Sequence, residues 1–202
     1  MAYLLSAIIG YFLGCSNMAL YIAKYKKINL RAAGSGNLGT ANSVILMGWL
    51  PGALVCIHDI GKAALAMFIA TVLFPNVEEV AAVAGVACIM GHLYPVFLKF
   101  KGGKGFASYI GMALMINWQF GLCMVVATVG ATVVTDYLVV GTAITVLGLP
   151  IFMLVTKAGW LSVLLVSLTT AIILWKHRIN FVRMANGTEI GLRRTVKQKD
   201  RV

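Results

Sequence analysis

Apolar runs of transmembrane length recur along almost the whole chain, separated by short polar clusters. Residues 2–24 predict a first span, and residues 43–74 are apolar but broken at Pro51–Gly52. That break predicts a short helical piece followed by a true span over about 52–74. A turn around Pro75, Asn76, Glu78 and Glu79 leads into a third span over 80–98. The next run, 106–116, is only eleven residues long. At the α-helical rise it reaches about 16 Å, so it draws on a flanking loop or crosses where the protein thins the bilayer. Runs over 118–135, 137–156 and 159–175 complete seven spans, with breaks at Thr135-Asp136 and Lys157–Gly159. The pattern predicts an all-α, polytopic membrane fold in one domain, residues 1–190, followed by a basic, disordered tail over 191–202.

Composition agrees with this pattern. Of 202 residues, 60% are hydrophobic and 11% charged, with a mean hydropathy of +0.91. Soluble domains carry about a quarter charged residues, so a soluble class is excluded. The apolar N-terminus lacks a basic lead-in and is read as the first helix, not as a removed signal. Four cysteines, Cys15, Cys56, Cys88 and Cys123, stand far apart in apolar sequence and have no metal-ligand spacing. They are expected as small buried hydrophobes.

Charge sets an orientation. Fifteen of the seventeen cations fall in three segments: Lys24–Arg31, Lys99–Lys104, and the tail from Lys176. Seven spans place all three on one side, which the positive-inside rule makes cytoplasmic, with the N-terminus outside. The net charge of +11 therefore points to anionic lipid headgroups and not to nucleic acid.

Two loops on that side carry more than charge. Gly91–Gly105 reads GHLYPVFLKFKGGKG, with Lys99, Lys101 and Lys104 beside Gly102, Gly103 and Gly105. Glycines let backbone N–H groups approach an anion while lysines neutralise it. GGKG lacks the spacer and the Ser/Thr of a nucleotide-binding P-loop, so nucleotide hydrolysis is not implied. Gly34–Asn42 reads GSGNLGTAN, and its Ser35, Asn37, Thr40 and Asn42 add donors and acceptors. Each loop alone could be a topology-setting segment or a helix cap; two on one side favour phosphate binding.

Other constellations have both structural and functional readings. Asp59 and Lys62 lie three apart within a span and could pair, as an ion pair or as part of a site. His177 and Asn180, just past the last span, share a helical face toward the loops, although His177 could equally cap a helix. Gly10 and Gly14 have spacing suited to close helix contact. There is no Cys/His/Asp metal cluster, no GxSxG elbow, and no histidine followed by aspartate with four residues between.

Taken together, GSGNLGTAN, GHLYPVFLKFKGGKG, Asp59 with Lys62, and KHRINFVRMANGTE resemble, in order and spacing, the bacterial acyl-phosphate:glycerol-3-phosphate acyltransferases, the PlsY family. The resemblance covers residues 1 to about 190. It implies a multi-pass enzyme of the bacterial inner membrane that moves a fatty acyl group from acyl-phosphate to the 1-hydroxyl of glycerol 3-phosphate, without coenzyme or metal. Carried onto this sequence, it implies catalytic roles for His177, Asn180, Ser35 and Asn37. It implies substrate or phosphate binding by Gly34, Gly36, Thr40, Asn42, Gly102, Gly103, Lys104, His92 and Thr142. The chain also departs from the family pattern. Thr40-Ala41 inverts the usual Ala-Thr order, and Ile45 stands where the arginine is expected. Thr142 is the nearest candidate for a usual serine, Val139 replaces another, and Ile179 stands for a glutamate. These departures suggest a divergent paralogue, with another phosphorylated polyol as acceptor or a non-catalytic lipid-phosphate binder as the alternatives.

Overall fold

The computed structural model describes residues 1–199, which fold into ten α-helices with no strand among them. The helices are α1 (Ala2–Cys15), α2 (Met18–Tyr25), α3 (Thr40–Met47), α4 (Trp49–Leu73), α5 (Val80–Leu93), α6 (Phe106–Ile116), α7 (Trp118–Thr135), α8 (Leu138–Val155), α9 (Trp160–Ala185) and α10 (Leu192–Lys199). A 3-10 turn, Val96–Leu98, follows α5. Six segments are long and apolar enough to cross a membrane: α1 with α2, α4, α5 with its turn, α7, α8 and α9. The eleven-residue α6 is shorter.

Local chemistry explains the breaks. The first run is not one helix, because the side-chain oxygen of Asn17 accepts the Leu20 N–H at 3.0 Å and starts α2 afresh. Asn117 begins α7 in the same way, accepting from Phe120 N–H at 2.8 Å. Gly48, at φ +93°, turns the chain between α3 and α4, a conformation closed to side chains with a Cβ. Pro51 then falls in the first turn of α4, where its missing N–H costs nothing. Inside α8, Pro150 cannot donate to the Val146 carbonyl, so Tyr109 Oη donates to it at 3.0 Å and Thr170 Oγ1 at 2.9 Å.

Two expectations about extent are corrected. The last span does not end near 175: α9 continues to Ala185, because His177 and Asn180 are buried and keep an inward face on the helix beyond the apolar stretch. Residues Leu192–Lys199, expected in a disordered tail, are helical; residues 200–202 of that tail lie outside the described ones.

The interior is built from small side chains, as close packing without a hydrophobic drive requires. α1 lies directly on α5: a Cβ at Gly10 would meet the Ala84 carbonyl, one at Gly14 the Cys88 carbonyl, and one at Gly91 the Tyr11 carbonyl. The larger core side chains, among them Met67, Ile89, Tyr109, Met112, Leu149 and Ile173, gather between α4, α5, α6, α8 and α9. Large apolar side chains such as Ile57, Phe68, Val126 and Leu154 point outward.

At one end of the bundle, Tyr3 Oη donates to the Glu78 carbonyl and the Glu79 carboxylate accepts the Ser162 N–H at the start of α9. At the other end meet the starts of α3 and α6 and the last turns of α9.

Candidate functional site

The Gly34–Asn42 loop is organised by a residue that does not face the cavity. Asn42 is fully buried. Its Oδ1 accepts the Ser35 N–H at 2.8 Å, and its Nδ2 donates to the carbonyls of Leu30 and Asn37 at 3.0 Å and of Ala33 at 3.4 Å. Gly34 (φ +61°) and Gly36 (φ +70°) turn the chain around this amide, and a Cβ on Gly34 would strike Asn42 Oδ1. The Gly36 N–H donates to the Ala33 carbonyl. So Asn42 is a brace instead of a ligand, and the N–H groups of Ser35 and Gly36 are already engaged. What the loop presents outward is the Ser35 and Asn37 side chains and the first turn of α3, from Gly39 through Thr40 to Ala41. No side chain caps that turn, so its N–H groups remain open.

The GGKG segment works the same way. The Gly102 N–H donates to the Leu93 carbonyl and the Gly103 N–H to the His92 carbonyl, both at 3.1 Å. Their lack of Cβ serves packing: a methyl on Gly102 would meet the His92 carbonyl, and one on Gly103 the His92 ring and the Leu38 carbonyl. The expected cradle of Gly102 and Gly103 amides is therefore corrected to a tight fold-back that delivers Lys104 and the start of α6. Gly105, at φ +84°, forms the N-cap without a side-chain cap, and Gly105, Phe106 and Ala107 line the cavity. The shortness of α6 recesses this point. α6 and its neighbour α7 meet at Asn117, and eleven residues against eighteen leave the start of α6 about 10 Å short of the far end of α7.

From the opposite wall, α9 adds His177 and Asn180, both buried. The Ile173 carbonyl, 2.9 Å from His177 Nδ1, can only accept, which fixes the proton on Nδ1 and leaves Nε2 with a lone pair. Lys104 Nζ donates to Asn180 Oδ1, and Asn180 Nδ2 donates to Glu189 Oε1. Arg183, at helical spacing with His177 and Asn180, also lines the cavity, as do Glu189 and Ile190, which were not singled out from sequence. Burial holds the Lys104 pKa below the usual lysine value; the Glu189 carboxylate opposes that shift and Arg183 adds to it. α8 supplies Leu138, Val139 and Thr142, whose hydroxyl donates to the Leu138 carbonyl at 3.1 Å, and α3 supplies Ile45.

Below lies a buried charge network. Asp59 Oδ1 is 2.8 Å from Lys62 Nζ, so the two do pair, and it is 3.5 Å from His92 Nδ1 and 3.3 Å from His58 Nδ1. Lys62 also donates to His92 Nδ1 at 2.8 Å and to the Ser16 and Gly14 carbonyls at 2.9 and 3.2 Å. This network ties the α1–α2 break to the residue that anchors the GGKG fold-back. His92 and Asp59 reach the cavity wall.

The resulting cavity holds about 130 Å³. Eight of the expected residues line it: Ser35, Asn37, Thr40, His92, Lys104, Thr142, His177 and Asn180. Gly34, Gly36, Asn42, Gly102 and Gly103 stand behind it. Two open helix starts, of α3 and α6, with Lys104 and Arg183, make one part of the cavity suited to anions. Ile45, Phe106, Leu138, Val139 and Ile190 make another part hydrocarbon.

Comparison with known proteins gives a consistent neighbourhood. Residues 4–187 match the family model described as glycerol-3-phosphate acyltransferase. The glycerol-3-phosphate acyltransferase of Thermoanaerobacter pseudethanolicus is 36% identical over 189 residues, 92% of this chain and 93% of that one. That of Coxiella burnetii is 36% identical over 192 residues, 94% and 97% of the two chains. The crystal structure of PlsY, an integral membrane glycerol 3-phosphate acyltransferase, in its glycerol 3-phosphate form superposes with a TM-score of 0.89 at 29% identity. It covers 95% of this chain and 96% of that one. The lysophosphatidic acid form gives 0.85 at 28% identity, covering 95% of each.

Proposed function

Because the chain belongs to the glycerol-3-phosphate acyltransferase family of PlsY, we propose that it transfers a fatty acyl group from acyl-phosphate to the 1-hydroxyl of glycerol 3-phosphate. The product is lysophosphatidic acid. The observation that carries this reading is the convergence of two uncapped helix starts on the bonded pair Lys104 and Asn180, with the Nε2 of His177 on the same wall. Such a cavity suits a reaction with a phosphate on each substrate.

Acyl-phosphate is a mixed anhydride, already activated, so the protein's work is orientation and charge stabilisation. In this reading Lys104, Arg183 and the start of α6 hold one phosphate, while Ser35, Asn37, Thr40 and the start of α3 hold the other. The glycerol oxygen attacks the acyl carbon, the new ester bond forms, and the carbon–oxygen bond to phosphate breaks. Asn180 and Thr142 orient the hydroxyl and the developing oxyanion. Two groups can take the hydroxyl proton: Nε2 of His177, or a phosphate oxygen of the substrate itself. The acyl chain lies along Ile45, Leu138 and Val139. In the same reading, α6 completes a seventh crossing with help from the loop before it. The cation-rich face is then cytoplasmic, and the N-terminus lies outside the inner membrane.

The test is phosphate release from palmitoyl-phosphate by the purified, detergent-solubilised protein, with and without glycerol 3-phosphate. Release that depends on the acceptor, with lysophosphatidate as product, is the expected result. Folded protein that releases no phosphate under either condition would sink the reading. Ile45 and Val139 favour a second reading, because both put hydrocarbon on the cavity wall where the resemblance implies an arginine and a hydroxyl. In that reading the acceptor is another phosphorylated polyol.

A further inference from the structure

A second cavity, of about 420 Å³, opens between the last turns of α2 and the loop that follows. Leu20, Ala23, Ile28 and Leu30 give it an apolar wall, and Lys24, Lys27, Asn29 and Arg31 line the rest. Tyr21 and Tyr25, 58% and 89% exposed, stand on the same helix end. Exposed tyrosines beside lysines at the end of a membrane-spanning segment mark the level of lipid headgroups.

The basic surface extends beyond the groove. Arg31 Nη2 donates to the Lys101 carbonyl, which brings the Lys99–Lys101 segment alongside. No carboxylate among the described residues answers these cations. Asp59 is buried with Lys62, Glu78 and Glu79 belong to the other end of the bundle, Asp136 accepts from Arg193 N–H, and Glu189 accepts from Asn180. A groove with an apolar wall, cations lining the rest and a headgroup-level position fits a molecule with a phosphate and a hydrocarbon part.

We propose that this groove is a binding site for the phosphate-bearing headgroup of an anionic membrane lipid, separate from the acyl-transfer cavity. The phosphate sits among Lys24, Lys27 and Arg31, and the lipid chain leaves along Leu20 and Ile28 toward the bilayer. An acidic soluble protein would satisfy the charge but not the apolar wall. The proposal does not depend on the acyltransferase reading.

Delipidated protein is titrated with phosphatidylglycerol or with phosphatidylcholine, and bound lipid is counted by native mass spectrometry. Expected is saturable binding of phosphatidylglycerol over phosphatidylcholine, weakened about fivefold by Lys24→Gln and further by Lys24→Glu combined with Lys27→Gln. Lys24→Gln keeps most of the loop's charge, so its fold and topology serve as the safeguard should the double variant fail. Arg194→Glu, at an exposed position outside the groove, changes net charge and should leave binding intact. Equal binding of both lipids, equal loss in Arg194→Glu, or no loss in Lys24→Gln would overturn the proposal. Displacement of bound lipid by soluble glycerol 3-phosphate would also overturn it, by showing a free-phosphate site.

Discussion

The ammonium of Lys104 donates to the side-chain oxygen of Asn180, joining the loop before α6 to the far part of α9 across 76 positions of sequence. Each residue fixes the other, and both line the same cavity. Lys104→Ala removes the cation and leaves Asn180 free to rotate. The expected outcome is a loss of about 10²–10³ in kcat/KM, the scale of removing one preorganised electrostatic contact. Steady-state kinetics with glycerol 3-phosphate varied should show a raised KM; acyl transfer with an unchanged KM would refute the phosphate role.

The same lysine predicts a pH profile. Because burial lowers its pKa, Lys104 loses its charge at a lower pH than an ordinary lysine. Activity that needs the cation is therefore present below that lowered pKa and fades as pH rises through it. The alkaline limb of kcat/KM, which reports the free enzyme, should fall below the usual lysine range. Glu189 raises this pKa and Arg183 lowers it, so Glu189→Gln should move the limb to lower pH and Arg183→Gln to higher pH. Limbs that coincide in all three proteins would show that another group sets the profile.

Asn42→Ala tests the brace. The substitution strips one acceptor and three donor contacts from a buried loop, leaving the Ser35 N–H and the Leu30 and Asn37 carbonyls without that partner. An unsatisfied buried group costs about 1–3 kcal/mol, so the thermal midpoint in detergent should drop clearly. Both substrates should bind less well, since the loop carries Ser35 and Asn37 together. A fall in activity with no change in midpoint would instead make Asn42 a direct ligand.

Much of this arrangement could be read from residue order, and the parts that could not have a common physical cause. Run lengths and the breaks expected at Pro51–Gly52 and Thr135-Asp136 come within a few residues of the helix boundaries, the first of which falls at Gly48, with Pro51 inside α4. The two glycine loops and the shared face of His177 and Asn180 point to one site. But glycine says only that a Cβ is unwelcome: at Gly102 and Gly103 the reason is contact with His92 and Pro95, not an open amide for phosphate. The break at Ser16 had a signal, Asn17 as an N-cap, masked by apolar sequence on both sides. Glu189 was passed over because its importance lies in where the segment after α9 brings it, beside Lys104.

The Asp59–Lys62 pair predicts strong non-additivity. Lys62→Met leaves Asp59 without its closest cation in the membrane interior, and loss of one partner of a buried pair costs about 3–5 kcal/mol. It also frees the Ser16 and Gly14 carbonyls and one side of His92. Asp59→Asn combined with Lys62→Met should recover part of that loss, measured by thermal unfolding in one detergent. Additive effects would mean that Asp59 and Lys62 act separately.

Ile45 offers the sharpest choice between acceptors. It lines the cavity from the second turn of α3, where a longer cationic side chain could reach the anion-binding part. If glycerol 3-phosphate is the natural acceptor and Lys104 with Arg183 already suffices, Ile45→Arg should change its KM by less than about threefold, since one further partly screened charge adds little. If the acceptor is another phosphorylated polyol, glycerol 3-phosphate should be used poorly by the native protein. Ile45→Arg should then lower its KM by about tenfold or more, because the added cation supplies a charge-assisted contact that was missing. Competition assays with a panel of phosphorylated polyols, run on both proteins, separate the two cases: the expected result is that glycerol 3-phosphate outcompetes the panel in the native protein.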